Sequence, residues 1–257
     1  MNSASRLHTI IQFFNSADPN ASINTAWEKY LGPASNALTE EDVLTVIQAV
    51  LAEIRSMEVK LRSIGVPDNL FHDCVSQLRT GFSPTQLAVP WKSHHEQMLK
   101  RATPLALQWA AWTLSQFDEN EIDEMAMKSL RDSLDAQEML LQETDLPVGL
   151  REMLERQTAG LRRALQFYKI QGIGPVQKVV SDSIGELATA PQDLVTEVET
   201  SPSAVKQAFE QGKKMIGKAA EFADKGSKVI KFGSEVYKLG VTGLQLGQSL
   251  LTTANPT

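Results

Sequence analysis

The chain has 257 residues and a mass of 28.3 kDa, enough for one large domain or two small ones. Its 42% hydrophobic and 22% charged residues allow a buried core and exclude a disordered polyelectrolyte. The net charge of −6 argues against a dedicated nucleic-acid binder, which presents a basic face. The single cysteine, Cys74, excludes an intramolecular disulfide and a multi-cysteine zinc site.

No unbroken strongly apolar run of membrane-spanning length occurs, and the N-terminal segment MNSASRLHTIIQFFNSADPN lacks a signal-peptide core. The expected setting is cytoplasmic and reducing, with peripheral attachment to the inner face of a membrane as the alternative. Charge is unevenly spread. Residues 205–257 hold eight lysines and four acids (+4), leaving 17 bases and 27 acids (−10) for residues 1–204. An acidic body, residues 1–200, followed by a basic element, residues 201–257, suggests two different jobs.

Apolar residues recur at three and four rather than at two, so an all-α, multi-helix bundle is expected. Leu7, Ile10, Ile11 and Phe14 place a first helix over residues 5–15, stopped by Asp18-Pro19-Asn20. A short helix follows over 23–31. Thr39 and Asp42 form the ends of a capping box before a long helix whose stripe runs from Val43 through Ile54 and Leu61 to Gly65-Val66-Pro67. Leu70, Val75 and Leu78 suggest one more short helix.

Pro104, capped by Thr103, is expected to open a helix through Phe117. Leu105, Leu107, Trp109, Ala110, Trp112 and Leu114 make it apolar on most sides, as for a central helix of a bundle. The acids from Asp118 to Glu124 are expected to begin a helix to Glu143, where they favour the helix dipole. Pro147 opens another to about Ile170, with Leu150, Leu154, Leu161, Leu165 and Tyr168 inward. Gly172-Ile173-Gly174-Pro175 reads as a tight turn, followed by helices over 176–189 and 191–200.

The C-terminal element carries the strongest pattern. Small residues recur every seventh position: Gly212, Ala219, Gly226, Gly233, Gly240 and Gly247. A second column is Phe209, Ile216, Ala223, Ile230, Tyr237, Leu244 and Leu251; a third is Ala208, Met215, Phe222, Val229, Val236, Gly243 and Leu250. Every charged residue of the segment falls outside these columns, among them Lys213, Lys214, Lys218, Lys225, Lys228, Lys231 and Lys238. That is a heptad frame.

A seam of glycine and alanine admits another helix closely. Seven glycines, at about 1 kcal/mol each against alanine, cost an isolated helix about 7 kcal/mol, so something must pack on the small face. The candidates are the body, a second copy, a protein partner or an anionic lipid surface facing the lysines. An unbroken helix to Leu251 would be about 70 Å long; a helical hairpin broken near Gly226 or Gly240 is the alternative. The body is expected to fold without this element.

Other features read as structural. His94 and His95 lie about 100° apart on a helix and cannot share one ion. Cys74 and His72, two apart, face opposite ways in a helix, so a buried cysteine is expected. Trp109 and Trp112 are expected in the core. Arg151, Arg156, Arg162 and Arg163 form a basic side, either solvated and paired with acids or a site for an acidic partner. No catalytic, cofactor or metal residues are assigned. The alternative to an interaction protein is a small helical enzyme or ligand-binding protein with a pocket near Trp91, His94, His95 and Glu96.

The segments Leu146-Pro147-Val148-Gly149-Leu150-Arg151, Leu161 to Gly172 (LRRALQFYKIQG) and Gly185-Glu186-Leu187 resemble part of a group of uncharacterised helical bacterial proteins, some of which accompany mobile-element or phage-defence genes. The resemblance implies a helical accessory or effector protein, and it brings no catalytic residues.

Overall fold

A computed structural model describes residues 1–31, 39–84, 102–189 and 192–226. Among these residues every regular element is helical, so the protein is an all-α, multi-helix fold. The chain forms two compact units, one of residues 1–119 and 166–172, the other of 120–165 and 173–257. The division expected at residue 200 does not coincide with these units.

The first unit contains α1 (Ser3–Ser16), α2 (Ile23–Leu31), α3 (Glu40–Ser63), α4 (His72–Gly81), α5 (Ala102–Thr113) and the single turn α8 (Tyr168–Gln171). Helix α1 lies against α3, α5 and α8. Its Leu7, Ile10, Ile11 and Phe14 are buried with Trp27, Ile54, Leu61, Leu78, Leu107 and Ile170. Rings of Phe13, Phe14, Trp27, Tyr30 and Phe82 meet edge to face in this core. The capping box of α3 forms as expected: Asp42 N–H donates to Thr39 Oγ1 at 3.2 Å and Thr39 N–H to Asp42 Oδ2 at 2.9 Å.

The second unit contains α6 (Glu124–Glu143), α7 (Val148–Gln166), α9 (Gly174–Ala188), α10 (Gln192–Thr200) and α11 (Ser203–Gly226). Helix α11 packs against α6, α9 and α10. One end of this core gathers Leu141, Leu146, Leu150, Leu154, Leu187, Val198, Val205 and Ala208.

Several sequence expectations are corrected. Thr103 lies inside α5 and caps nothing; its hydroxyl donates to Gln77 Oε1 instead. Helix α5 is not a central helix. Leu107, Ala110 and Leu114 are buried, but Leu105 is 67% exposed, Trp109 36% and Trp112 77%. The period that buries the first set turns the tryptophans outward on the opposite side.

The helix expected from Asp118 starts at Glu124, where Asp123 Oδ1 accepts from Ala126 N–H at 2.6 Å. Asp118 instead accepts from the Asn2 side chain, and Glu119 pairs with Arg6. The helix expected to reach Ile170 breaks at Phe167, whose ring is buried in the first unit. Of the two glycines in the expected turn only Gly172, at φ +66°, has a left-handed backbone; Gly174 already opens α9, with Pro175 in its first turn.

Candidate interaction site

The heptad frame survives in the described part of the C-terminal element. In α11 the positions Ala208, Gly212, Met215, Ile216, Ala219, Phe222, Ala223 and Gly226 are all buried, and Phe209 is half-buried against the core. The mate of this stretch is the second unit itself. A Cβ built on Gly212 would lie 2.5 Å from Leu154 Cδ2. One built on Gly226 would lie 2.9 Å from Ile173 Cγ1 and 3.1 Å from Ile122 Cδ1. The small column therefore does what its composition predicts: it removes the side chain where a neighbour comes closest.

The last described turn of α11 is bonded to the segment before α6: Asn120 N–H donates to Gly226 O at 2.9 Å and Asn120 Nδ2 to Lys225 O at 3.0 Å. The seam positions Ile230, Gly233, Tyr237, Gly240, Leu244, Gly247 and Leu251, and the cations Lys228, Lys231 and Lys238, lie outside the described residues.

The described lysines are not a uniform charged face. Lys213 Nζ reaches Glu210 at 2.6 Å and lies 5.2 Å from the Phe209 ring centroid. Lys218 Nζ donates to Ser129 O at 3.4 Å, while Lys214 and Lys225 are exposed.

The second unit also buries polar side chains that sequence reasoning missed, and Ser133, Gln137 and Thr158 among them reach α11. Ser133 and Gln137 of α6, Gln157 and Thr158 of α7, and Ser183 of α9 are all buried. Gln157 Nε2 donates to Glu186 at 3.1 Å, and Thr158 Oγ1 to Leu154 O at 2.7 Å. Gln137 is fully buried, yet among the described residues neither its Nε2 nor its Oε1 has a hydrogen-bond partner. A Cβ on Gly212 would lie 3.7 Å from that Nε2. No periodicity announces this, because glutamine on a helix reads as a solvated position.

Three arginines of α7 bind within the unit. Arg151 donates to Leu141 O at 2.7 Å and Thr144 O at 2.9 Å, bridging the end of α6 and the loop after it. Arg156 pairs with Glu186, and Arg162 with Asp135 and Glu138.

In the first unit a cleft of about 660 Å³ is lined by Glu58, Arg62, His72, Ser76, Arg79 and Thr80, among others. Its guanidiniums are already matched by carboxylates: Glu58 pairs with Arg62 at 2.8 Å and Arg79 at 2.6 Å, and Asp68 takes Arg62 at 2.9 Å. The Arg62 guanidinium holds the Asp68 carboxyl below its usual range.

Sequence reasoning also missed a buried charge cluster. Arg6 is held by Glu53 at 2.6 Å and Glu119 at 3.0 Å, with Arg6 and Glu53 side chains only 5% exposed. Gly172 packs its backbone over the Arg6–Glu119 pair, where a Cβ would collide with both. Charges this far apart along the chain carry no local signal.

Cys74 is buried, and burial pushes its thiol up to about 12, whereas His72 is exposed. The residues of the alternative pocket, Trp91, His94, His95 and Glu96, lie outside the described residues. Among the described residues no group of acids, histidines or cysteines could hold a metal ion, and no helix is long and apolar enough to cross a membrane. No protein-family model matches the chain, and no significant match to it is found among curated proteins or solved structures.

Proposed function

We propose that this chain is a helical interaction protein, not an enzyme, that associates through residues 227–251 with the matching segment of a second copy. The observation that carries this reading is the use of the frame in α11. There the three columns are packing positions, and Gly212 and Gly226 lie where neighbouring side chains come closest. The same columns continue in sequence from Val229 and Ile230 to Leu251. A stripe of that composition calls for an equally close mate, and the matching stripe of another copy fits it in size. A role as an accessory or effector protein, of the kind that the resemblance of residues 146–187 implies, is compatible with such assembly.

The test is the solution mass of the full chain and of a chain ending at Gly226, by light scattering over a range of concentrations. The expected result is an assembly for the full chain and a monomer for the shorter one. Equal masses overturn the reading. If the masses are equal but only the full chain sediments with anionic vesicles, the segment is a membrane element. If the full chain stays monomeric until a different protein is added, it is a heterotypic docking helix.

A further inference from the structure

We infer that α11 is a releasable helix whose docking is limited by the side chain of Gln137, buried with no hydrogen-bond partner among the described residues. This rests on the assembly reading only for its purpose, since release would offer a second length of the same heptad frame to another copy. Three observations carry it.

First, Gln137 sits at the α6–α11 contact, fully buried, with both ends of its amide unpartnered among the described residues. A buried amide that gave up its water bonds without replacement is penalised only while the site is closed. Lifting α11 rehydrates it. The contrast is Gln157, equally buried but bonded to Glu186. Second, the polar links from α11 to α6 are long. Gln211 Nε2 donates to Ser133 O at 3.3 Å and to its Oγ at 3.4 Å, and Lys218 Nζ to Ser129 O at 3.4 Å. Third, α11 carries Gly212 and Gly217 in its interior, and glycine weakens a helix that has no mate. Such a helix persists while docked and loosens when it leaves.

Release exposes Ala208, Met215, Ile216, Ala219, Phe222 and Ala223 together, a stripe that water does not tolerate for long. The chemistry that would receive it is another helix with a small-residue face. Docking on the unit and any added contact of the released α11 with another copy, already held through residues 227–251, then compete for the α11 face, and Gln137 sets the balance between them.

The experiment is amide hydrogen exchange on the full chain, in the wild type and in Gln137→Met and Gln137→Leu, with Gln157→Met as control. In the wild type, α11 amides are expected to exchange together and faster than those of α7 and α9. Replacing Gln137 by an apolar side chain is expected to slow α11 exchange by roughly 5- to 30-fold, and Gln157→Met is not. Wild-type α11 exchanging as slowly as α7 and α9 overturns the inference. So does exchange that is unchanged or faster in both Gln137 variants. Failure of the assembly reading is a separate outcome: truncation after Gly226 leaves the mass unchanged while α11 still opens first and Gln137→Met still slows it.

Discussion

Gly212 of α11 and Leu154 of α7 share a space that cannot hold one more carbon: a Cβ on the glycine would lie 2.5 Å from the leucine Cδ2. Leu154 is itself buried, at 1% exposure, so its side chain has little room to retreat. Gly212→Ala therefore gains helix propensity of about 1 kcal/mol and loses about 1–3 kcal/mol to overpacking, for a net loss of up to about 2 kcal/mol. Gly185 in α9 is the opposite case, exposed and with nothing within 4 Å of an added Cβ. Gly185→Ala is expected to stabilise the second unit by about 0.5–1 kcal/mol. Urea unfolding followed by circular dichroism compares the two.

Where the chain is cut decides how stable the second unit is. Removing residues 203–257 takes away the buried face of α11, from Val205 to Gly226, and strips α6 and α9 of their partner. The remaining helices of the second unit are expected to persist but to unfold at a lower urea concentration than in the full chain. Removing only residues 227–257 leaves that face in place, and the described helices are expected to remain. The sequence-based expectation that the body folds without residues 201–257 treated that whole element as an appendage; the structure places its first half in a core.

The charge cluster of the first unit makes Arg6→Met severe. It leaves the buried Glu53 without the guanidinium that pairs with it, and breaking such a buried pair costs about 3–5 kcal/mol. The double change Arg6→Met with Glu53→Leu removes both buried groups and is expected to recover part of that loss. All four tryptophans fall within residues 1–119, so tryptophan fluorescence follows this unit during unfolding.

Cys74 predicts both a labelling pattern and a pH dependence. Its thiol is pushed up to about 12 by burial, and the thiolate is the reactive form. Alkylation at pH 8 is expected to be slow in the native protein and fast in urea. The group ionises at a lower pH unfolded than folded. Its contribution is thus fully present below the unfolded value and is lost as pH rises toward about 12. Tyr30, also raised to about 12 by burial, acts in the same direction. Stability of the first unit is expected to fall from about pH 9 upward, and Cys74→Ala to flatten the earlier part of that fall. Unchanged stability across this range counts against the assignment.

The sequence by itself determined what is periodic or local: helices throughout the described residues, the Thr39–Asp42 capping box, and, over Ser203–Gly226, a helix that buries the three columns and keeps its charges out of them. These follow from spacing and from backbone groups a few residues away, which the chain carries wherever it is packed. Only the tertiary structure decided which apolar side met a core and which did not. Leu107 and Trp112 are equally apolar in the sequence, and α5 buries one and exposes the other. It also decided the partners of Arg6 and the burial of Gln137 with no hydrogen-bond partner among the described residues, because electrostatic and hydrogen-bond satisfaction depend on groups that sequence distance does not bring together. Gly212 and Gly226 show the division: their spacing announced that something must come close, and the fold supplied Leu154 and Ile173.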